Sequence, residues 1–354
     1  MRLEARTNPS RAAMLAAPFG AILFTLLVCA LLVAWAGAPV GRTYALLFEG
    51  AFGSRFAISE TLTRATPLIL TGLAAAISFR AHFYNIGAEG QLYMGALAAV
   101  AIGGQGAALS NLPAGLVFAT MMLGGALAGA LLLLGPALLK IRLGVDEVVT
   151  TLLLNFIALL FVSMMLDGPM KDPLAMGWPQ SVALDPTHEF SRLMERSRVH
   201  SGLLLACVLA VLLWVVQRFT TFGLQMRAVG ANARGAAFAG LPVRRVVLAC
   251  ALISGALAGL AGLGEVAGRT GYVTLDMSPG YGYTGIVIAM LAGLHPVGVI
   301  VSALFVAGTL VGADSMSRAV GVPNYISDVI VATALLSMLV ATLFTRYRVR
   351  WGHV

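Results

Sequence analysis

The stretch Phe83–Gly95, FYNIGAEGQLYMG, sets Asn85, Gly87, Glu89, Gly90 and Gln91 between two apolar runs of membrane-helix character. Glycines at 87 and 90 weaken a helix. Backbone groups freed at membrane depth need protein or a wet cavity as partner. Two readings are open: a cytoplasmic turn with a solvated Glu89, or the lining of a polar path. An ionisable residue inside a membrane segment costs at least about 2.5–3.5 kcal/mol on insertion scales, so it is a functional candidate by default.

The surroundings favour a membrane. Of 354 residues, 59% are hydrophobic, 11% are charged and 40 are glycine. A soluble domain carries about a quarter charged residues. The composition therefore predicts an all-α polytopic membrane protein, in which glycine lets helices approach closely. The net charge of +8 is read as loop bias and not as nucleic-acid binding. Cys29, Cys207 and Cys250 lie in apolar runs, with no disulfide or metal spacing. Arg2, Arg6 and Arg11 precede an uncharged run from Pro18 to Val40. That run exceeds the roughly 7–15-residue core of a cleaved signal, so it is expected to be the first span.

A crossing helix needs about 20 apolar residues. The expected spans, about ten, are 19–37, 64–81, 91–108, 112–139, 148–166, 203–217, 246–264, 283–294, 296–313 and 325–344. Most Lys and Arg residues fall in segments 1–18, 80–90, 140–147, 218–245 and 345–354, which predicts both termini inside. The expected organisation is a cytoplasmic N-terminus over 1–18, a transmembrane domain over 19–344 and a basic cytoplasmic tail over 345–354. Residues 167–202 form the long external loop, with a helical piece expected near Glu189–Arg198. Residues 218–245 form the long internal loop, expected to hold short helices.

Three further clusters are polar. GYGYTG, Gly280–Gly285, breaks the chain before a span and offers Tyr281, Tyr283 and Thr284; the tyrosines suit either a cavity or the aromatic belt. In VDEVVTTLLLN, residues Glu147, Thr151 and Asn155 share one helix face. Asp146 and Glu147 suit the helix start as caps, whereas Asn155 is interhelical glue or path lining. The internal loop carries Arg227, Gly230, Asn232, Arg234 and Gly240, either as positive-inside charge or as a docking surface. In the predicted topology the spans before the two breaks run in opposite senses. That points to an inverted repeat with broken helices and the site between the halves. Gly125/Gly129 and Gly255/Gly259 are read as helix packing only.

Enzyme motifs are absent. No phosphate loop surrounds Lys140 or Lys171, and no HExxH occurs among the five histidines.

Five blocks in order, FYNIGAEGQLYMGA, GVDEVVTTLLLNFIA, TTFGLQMRAVGANARGAAFAGL, SGALAGLAG and GYGYTGIVIAMLAGLHPVG, resemble the permease subunits of bacterial ABC importers. The likeness is to the nucleoside and simple-sugar branch of the branched-chain amino acid/ribose-type permeases, over about residues 60–345. It implies a multi-pass protein of the bacterial cytoplasmic membrane, surrounded by lipid. It also implies a second permease subunit, identical or not, an extracytoplasmic substrate-binding lipoprotein and an ABC ATPase subunit. ATP and Mg would be bound by that ATPase, leaving this chain with no cofactor and no catalytic residue. The 218–245 loop matches the family's coupling loop, so Arg227, Gly230, Asn232 and Gly240 are its candidate coupling residues. On the physical grounds above, Asn85, Glu89, Gln91, Asn155, Tyr281 and Tyr283 are the candidate substrate path. The alternative is a stand-alone ion-coupled secondary transporter with Glu89 as its proton-linked carboxylate.

Overall fold

A computed structural model describes residues 39–109, 112–194 and 197–320, the segments 2–5 and 347–350, and scattered positions within 20–37 and 329–341. The expected first and last spans and both terminal segments therefore lie largely outside the described residues. The chain forms two compact units: residues 1–61 with 305–354, and residues 62–304.

In the first unit, α1 (Val40–Phe52) follows Pro39. Outside the helices, β1 (Arg2–Ala5) pairs antiparallel with β2 (Tyr347–Arg350). Alternating backbone hydrogen bonds thus hold the two terminal segments side by side.

The second unit is helical. After α2 (Arg55–Arg80) come α3 (Ala88–Gly103), α4 (Ala114–Leu143) and α5 (Glu147–Asp167). Then follow α6 (Gly202–Phe219), α7 (Thr221–Ala231), α8 (Ala233–Phe238), α9 (Val243–Glu265), α10 (Tyr281–Leu291) and α11 (Pro296–Val320). The unit boundaries fall within α2 and α11. Among the described residues six helices are long and apolar enough to cross a membrane: α2, α4, α5, α6, α9 with its continuation to Thr270, and α11. Two expected spans are shorter than a bilayer. α3 has 16 residues and α10 has 11, against the roughly 20 that a crossing needs. α2 begins at Arg55, nine residues before its expected start, because Glu60 and Arg64 are tolerated within the helix.

Burial separates the helices into two kinds. α3 has 12 of its 16 residues buried, so it is enclosed on all sides. α5 buries only Glu147, Thr151, Asn155, Ala158, Val162 and Leu166, one face at helical spacing. Its Leu153, Phe156, Ile157 and Leu160 are exposed, as a lipid-facing surface requires.

Glycines let the central helices touch backbone to backbone. A methyl on Gly95 would lie 2.0 Å from the Gly259 carbonyl oxygen, and one on Gly259 would lie 2.1 Å from that of Gly125. α3, α4 and α9 are therefore locked at one crossing region, with dispersion contacts replacing the hydrophobic drive that lipid removes.

Among the described residues the 168–201 segment contains no α-helix, contrary to the expected helical piece at 189–198. It has one 3₁₀ turn at Pro186–His188 and an extended contact between Arg192 and His200. Its backbone is committed elsewhere. The Asp185 amide donates to Gly103 O at 3.1 Å, Leu184 to Gly271 O at 2.6 Å and Phe190 to Ala267 O at 2.9 Å. The segment is thereby stitched over the C-terminal ends of α3 and α9. His200 is buried in it, its ring 5.4 Å from that of Phe190.

Two predictions follow from this packing. Gly259→Ala or Gly95→Ala overpacks the crossing and destabilises by about 1–3 kcal/mol. Gly135→Ala meets open space and leaves the detergent melting temperature unchanged or raised. Burial pushes the His200 imidazole down to about 4. The neutral ring is tolerated fully above about pH 6.5, and the segment loses stability as pH falls from there towards 4. Hydrogen exchange across 168–201 should therefore accelerate on acidification, and more so in the wild type than in His200→Leu.

Candidate functional site

The break between α2 and α3 is held by hydrogen bonds from three directions. Residues 81–87 turn irregularly, with His82 in the left-handed region at φ 52°. The buried face of α5 supplies one set of partners. Tyr84 N donates to Glu147 Oε1 at 3.2 Å, and Ile86 N donates to Thr151 Oγ1 at 3.1 Å. Asn155 Oδ1 accepts from Gly90 N at 2.9 Å while its Nδ2 donates to Ile86 O at 2.9 Å. Successive helical turns of α5 thus present acceptors at the spacing of successive freed backbone groups. Asn155 Nδ2 also donates to the Tyr283 hydroxyl at 3.1 Å, tying α10 to the same point.

The second set comes from α3 and α9. The amides of Asn85 and Gln91 pair reciprocally, Nδ2 to Oε1 at 2.9 Å and Nε2 to Oδ1 at 3.0 Å. Asn85 Oδ1 accepts in addition from Gly87 N at 2.9 Å, in an Asx-type turn, and its Nδ2 donates to Ser254 Oγ at 3.0 Å. Ser254 in turn donates to Ala74 O of α2 at 2.7 Å.

The third direction is α10. Glu89 sits in the first turn of α3, and its Oε2 accepts from Gly282 N, in the first turn of α10, at 2.6 Å. Two helix N-termini, each an accumulation of unpaired amides and partial positive charge, share one carboxylate. The approach is close: a methyl on Gly282 would lie 2.2 Å from Glu89 N. Glu89 is only 4% exposed, so its burial is balanced by these donors and dipoles.

Beyond this junction, α9 passes into a π-helical turn at Val266–Thr270. There Arg269 forms an ion pair with Glu265 and lies 3.3 Å from the Tyr281 hydroxyl. Tyr93 OH donates to Leu275 O at 2.5 Å, holding the returning chain against α3.

Asn85, Glu89, Gln91, Asn155, Tyr281 and Tyr283 therefore lie in one connected cluster, although the sequence separates them by up to 198 positions. All but Tyr283 are buried; Tyr283 is 39% exposed. Glu147 departs from its expected capping role. Asp146 alone caps α5, accepting from Val148 N at 2.8 Å, while Glu147 turns to Lys140 and the Tyr84 amide. Ser254 and the Glu265–Arg269 pair beside Tyr281 were missed by sequence reasoning, which named Tyr281 alone. A serine in an apolar glycine-rich helix gives the first a faint signal. The second depends on a local change of helical pitch that no pattern announces.

The internal loop forms helices, as expected, but its candidate residues do different things. Arg227 Nη1 donates to Gln217 O at 2.9 Å. Asn232 caps α8 by accepting from Gly235 N at 2.9 Å. Gly240 ends α8 with φ +80°, and Gly230 abuts the Arg80 carbonyl. Phe238, at the end of α8, is 97% exposed.

Comparison with known proteins shows the family. Residues 57–344 match the family described as branched-chain amino acid transport system / permease component. The chain is 36% identical over 330 residues to the guanosine ABC transporter permease protein NupP of Bacillus subtilis, covering 92% of this chain and 93% of that one. It is 36% identical over 366 residues to the glucose ABC transporter permease protein TsgB13 of Haloferax volcanii, covering 99% and 94%. It is 30% identical over 333 residues to the nucleoside ABC transporter permease protein NupB of Lactococcus lactis, covering 91% and 90%.

Stranding a buried backbone group costs about 1–3 kcal/mol. Asn155→Leu strands both Gly90 N and Ile86 O and should lower the melting temperature clearly. Thr150→Val, one position from the buried face, removes hydrogen bonds only to its own helix and should have little effect. Glu89→Gln keeps an acceptor for Gly282 N and should be milder than Glu89→Ala in the same assay.

Proposed function

The chain belongs to the permease-component family of branched-chain amino acid transport systems, and from that premise we propose that it is the membrane-spanning subunit of an ATP-driven importer of nucleosides, with a simple sugar as the alternative cargo. Its relatives carry guanosine, nucleoside and glucose permease names. The observation that supports an uncharged polar cargo is the junction of α3 and α10. Their N-termini would attract an anion, but Glu89 already occupies that position. What remains around it is amide and hydroxyl chemistry: Asn85, Gln91, Asn155 and Tyr283. Such groups suit the hydroxyls and base edges of a nucleoside.

In this reading the partners are an ABC ATPase subunit, a second permease subunit and an extracytoplasmic binding lipoprotein, assembled in the bacterial cytoplasmic membrane. Both termini of this chain lie inside. ATP and Mg belong to the ATPase. The helices at 221–238 form the coupling loop, and the exposed Phe238 and Leu224 are the contacts offered to the ATPase. Access alternates when the partners of the broken segments are exchanged, because freed groups at that depth need new partners or water.

Uptake of labelled guanosine, adenosine, uridine and glucose by cells with and without the chain tests the reading. ATP-dependent uptake of a nucleoside, with an ATPase co-purifying at fixed stoichiometry, is expected. Transport by the isolated chain driven by a pH gradient overturns it in favour of a secondary transporter. In the assembled importer, Arg227→Ala and Gly240→Val should raise the ATP hydrolysed per solute moved; unchanged values in both would remove the coupling role.

A further inference from the structure

Resting on the importer reading, we propose that Lys140 and Glu147 are positioning residues that transmit movement of the 221–238 helices to the α2–α3 break. Neither residue belongs to the coupling loop or to the candidate path; their ion pair holds the turn at His82 and Tyr84, which lies between the two.

The first half of the connection is steric. A methyl on Gly230 would lie 2.0 Å from Arg80 O. The end of α7 therefore sits on the backbone at the end of α2, and displacement of one displaces the other. Immediately beyond Arg80 the break begins. Lys140, in the last turn of α4, donates to His82 O at 3.0 Å and pairs with Glu147. Its ammonium also lies 5.5 Å from the centre of the buried Phe83 ring. Glu147 holds the Tyr84 amide. The pair thus grips the carbonyl of His82 and the amide of Tyr84, two residues apart on one loop, from two different helices.

The remainder is a question of what can move. A cavity of about 260 Å³ lies beside this contact, lined by Ala81, His82, Lys140, Gly230, Asn232 and Arg244. Space there lets the loop shift, while the ion pair decides how the shift is passed on. Glu147 heads the face that continues through Thr151 and Asn155 to the Tyr283 hydroxyl. A push at Gly230 is thereby directed along the α5 face to the candidate path. Without the pair, the loop absorbs the push locally.

Proteoliposomes containing the complete importer provide the test, read as solute moved per ATP hydrolysed. Lys140→Met and Glu147→Gln should keep ATP hydrolysis within about twofold of wild type. Their transport ratio should fall by at least about tenfold, as misplacement of a positioned segment does. Lys140→Arg retains donors for both His82 O and Glu147, and should keep the ratio within about twofold. Glu147→Gln is nearly isosteric and still accepts from Tyr84, so it carries the test alone should Lys140→Met fail to assemble. An unchanged ratio in Glu147→Gln, or uptake and ATP hydrolysis falling in proportion, overturns the proposal. A wild-type complex that moves solute without hydrolysing ATP defeats the importer reading itself, and this one with it.

Discussion

Backbone N–H and C=O groups released where a helix stops must find new partners or water, and around 81–90 much of that demand is met by side chains of α4 and α5. A helix end leaves several groups unpaired, and here α3 and α10 both begin within the bundle. Four amides near the first break have named side-chain partners: Tyr84 N, Ile86 N and Gly90 N are held by Glu147, Thr151 and Asn155 of α5, and Gly87 N by Asn85 of the loop itself, with Ser254 of α9 bracing the Asn85 side chain. The glycine contacts of α3, α4 and α9 bring these elements close enough for the bonds to form. The Glu89 carboxylate then joins the two helix starts, because one anion can answer two positive ends.

The same arrangement bears on transport. A network that satisfies its own polar groups offers no stray charge to a passing solute. On the proposed reading, a solute with several hydroxyl and amide groups would exchange with Asn85, Gln91, Asn155 or Tyr283 bond for bond. An apolar or anionic molecule has less to offer: the first leaves amides unpaired, and the second competes with Glu89. On the same proposed reading, opening would be an exchange of partners and not a rupture, since freed groups need new partners or water.

Much of this was legible in residue types and spacing. Helical period alone puts Glu147, Thr151 and Asn155 on one face, and the two glycine-broken stretches announce themselves against apolar surroundings. Pairing of the breaks was legible only as opposite direction of the preceding spans. Other features were not legible. Glu147 looked like a cap because Asp146 and Glu147 are chemically equivalent at a helix start; only the position of Lys140 across a short loop turns the second inward. The 189–198 stretch has helix-favouring residues, but Phe190 N is bound to Ala267 O and Leu193 N to Val199 O, demands that local propensity does not register. α3 and α10 looked like spans because enclosure by protein selects the same apolar residues as lipid does.

Glu89 decides between a junction that organises the path and a path that reads the solute through its carboxylate. A cryo-electron microscopy map of the assembled importer with nucleoside bound, at a resolution that shows side chains, addresses it most directly. The proposed path keeps the Glu89 carboxylate on the Gly282 amide, where it now lies, with the solute contacted by amide and hydroxyl groups around it. Density placing that carboxylate on the solute, with α3 and α10 parted at their starts, would contradict it.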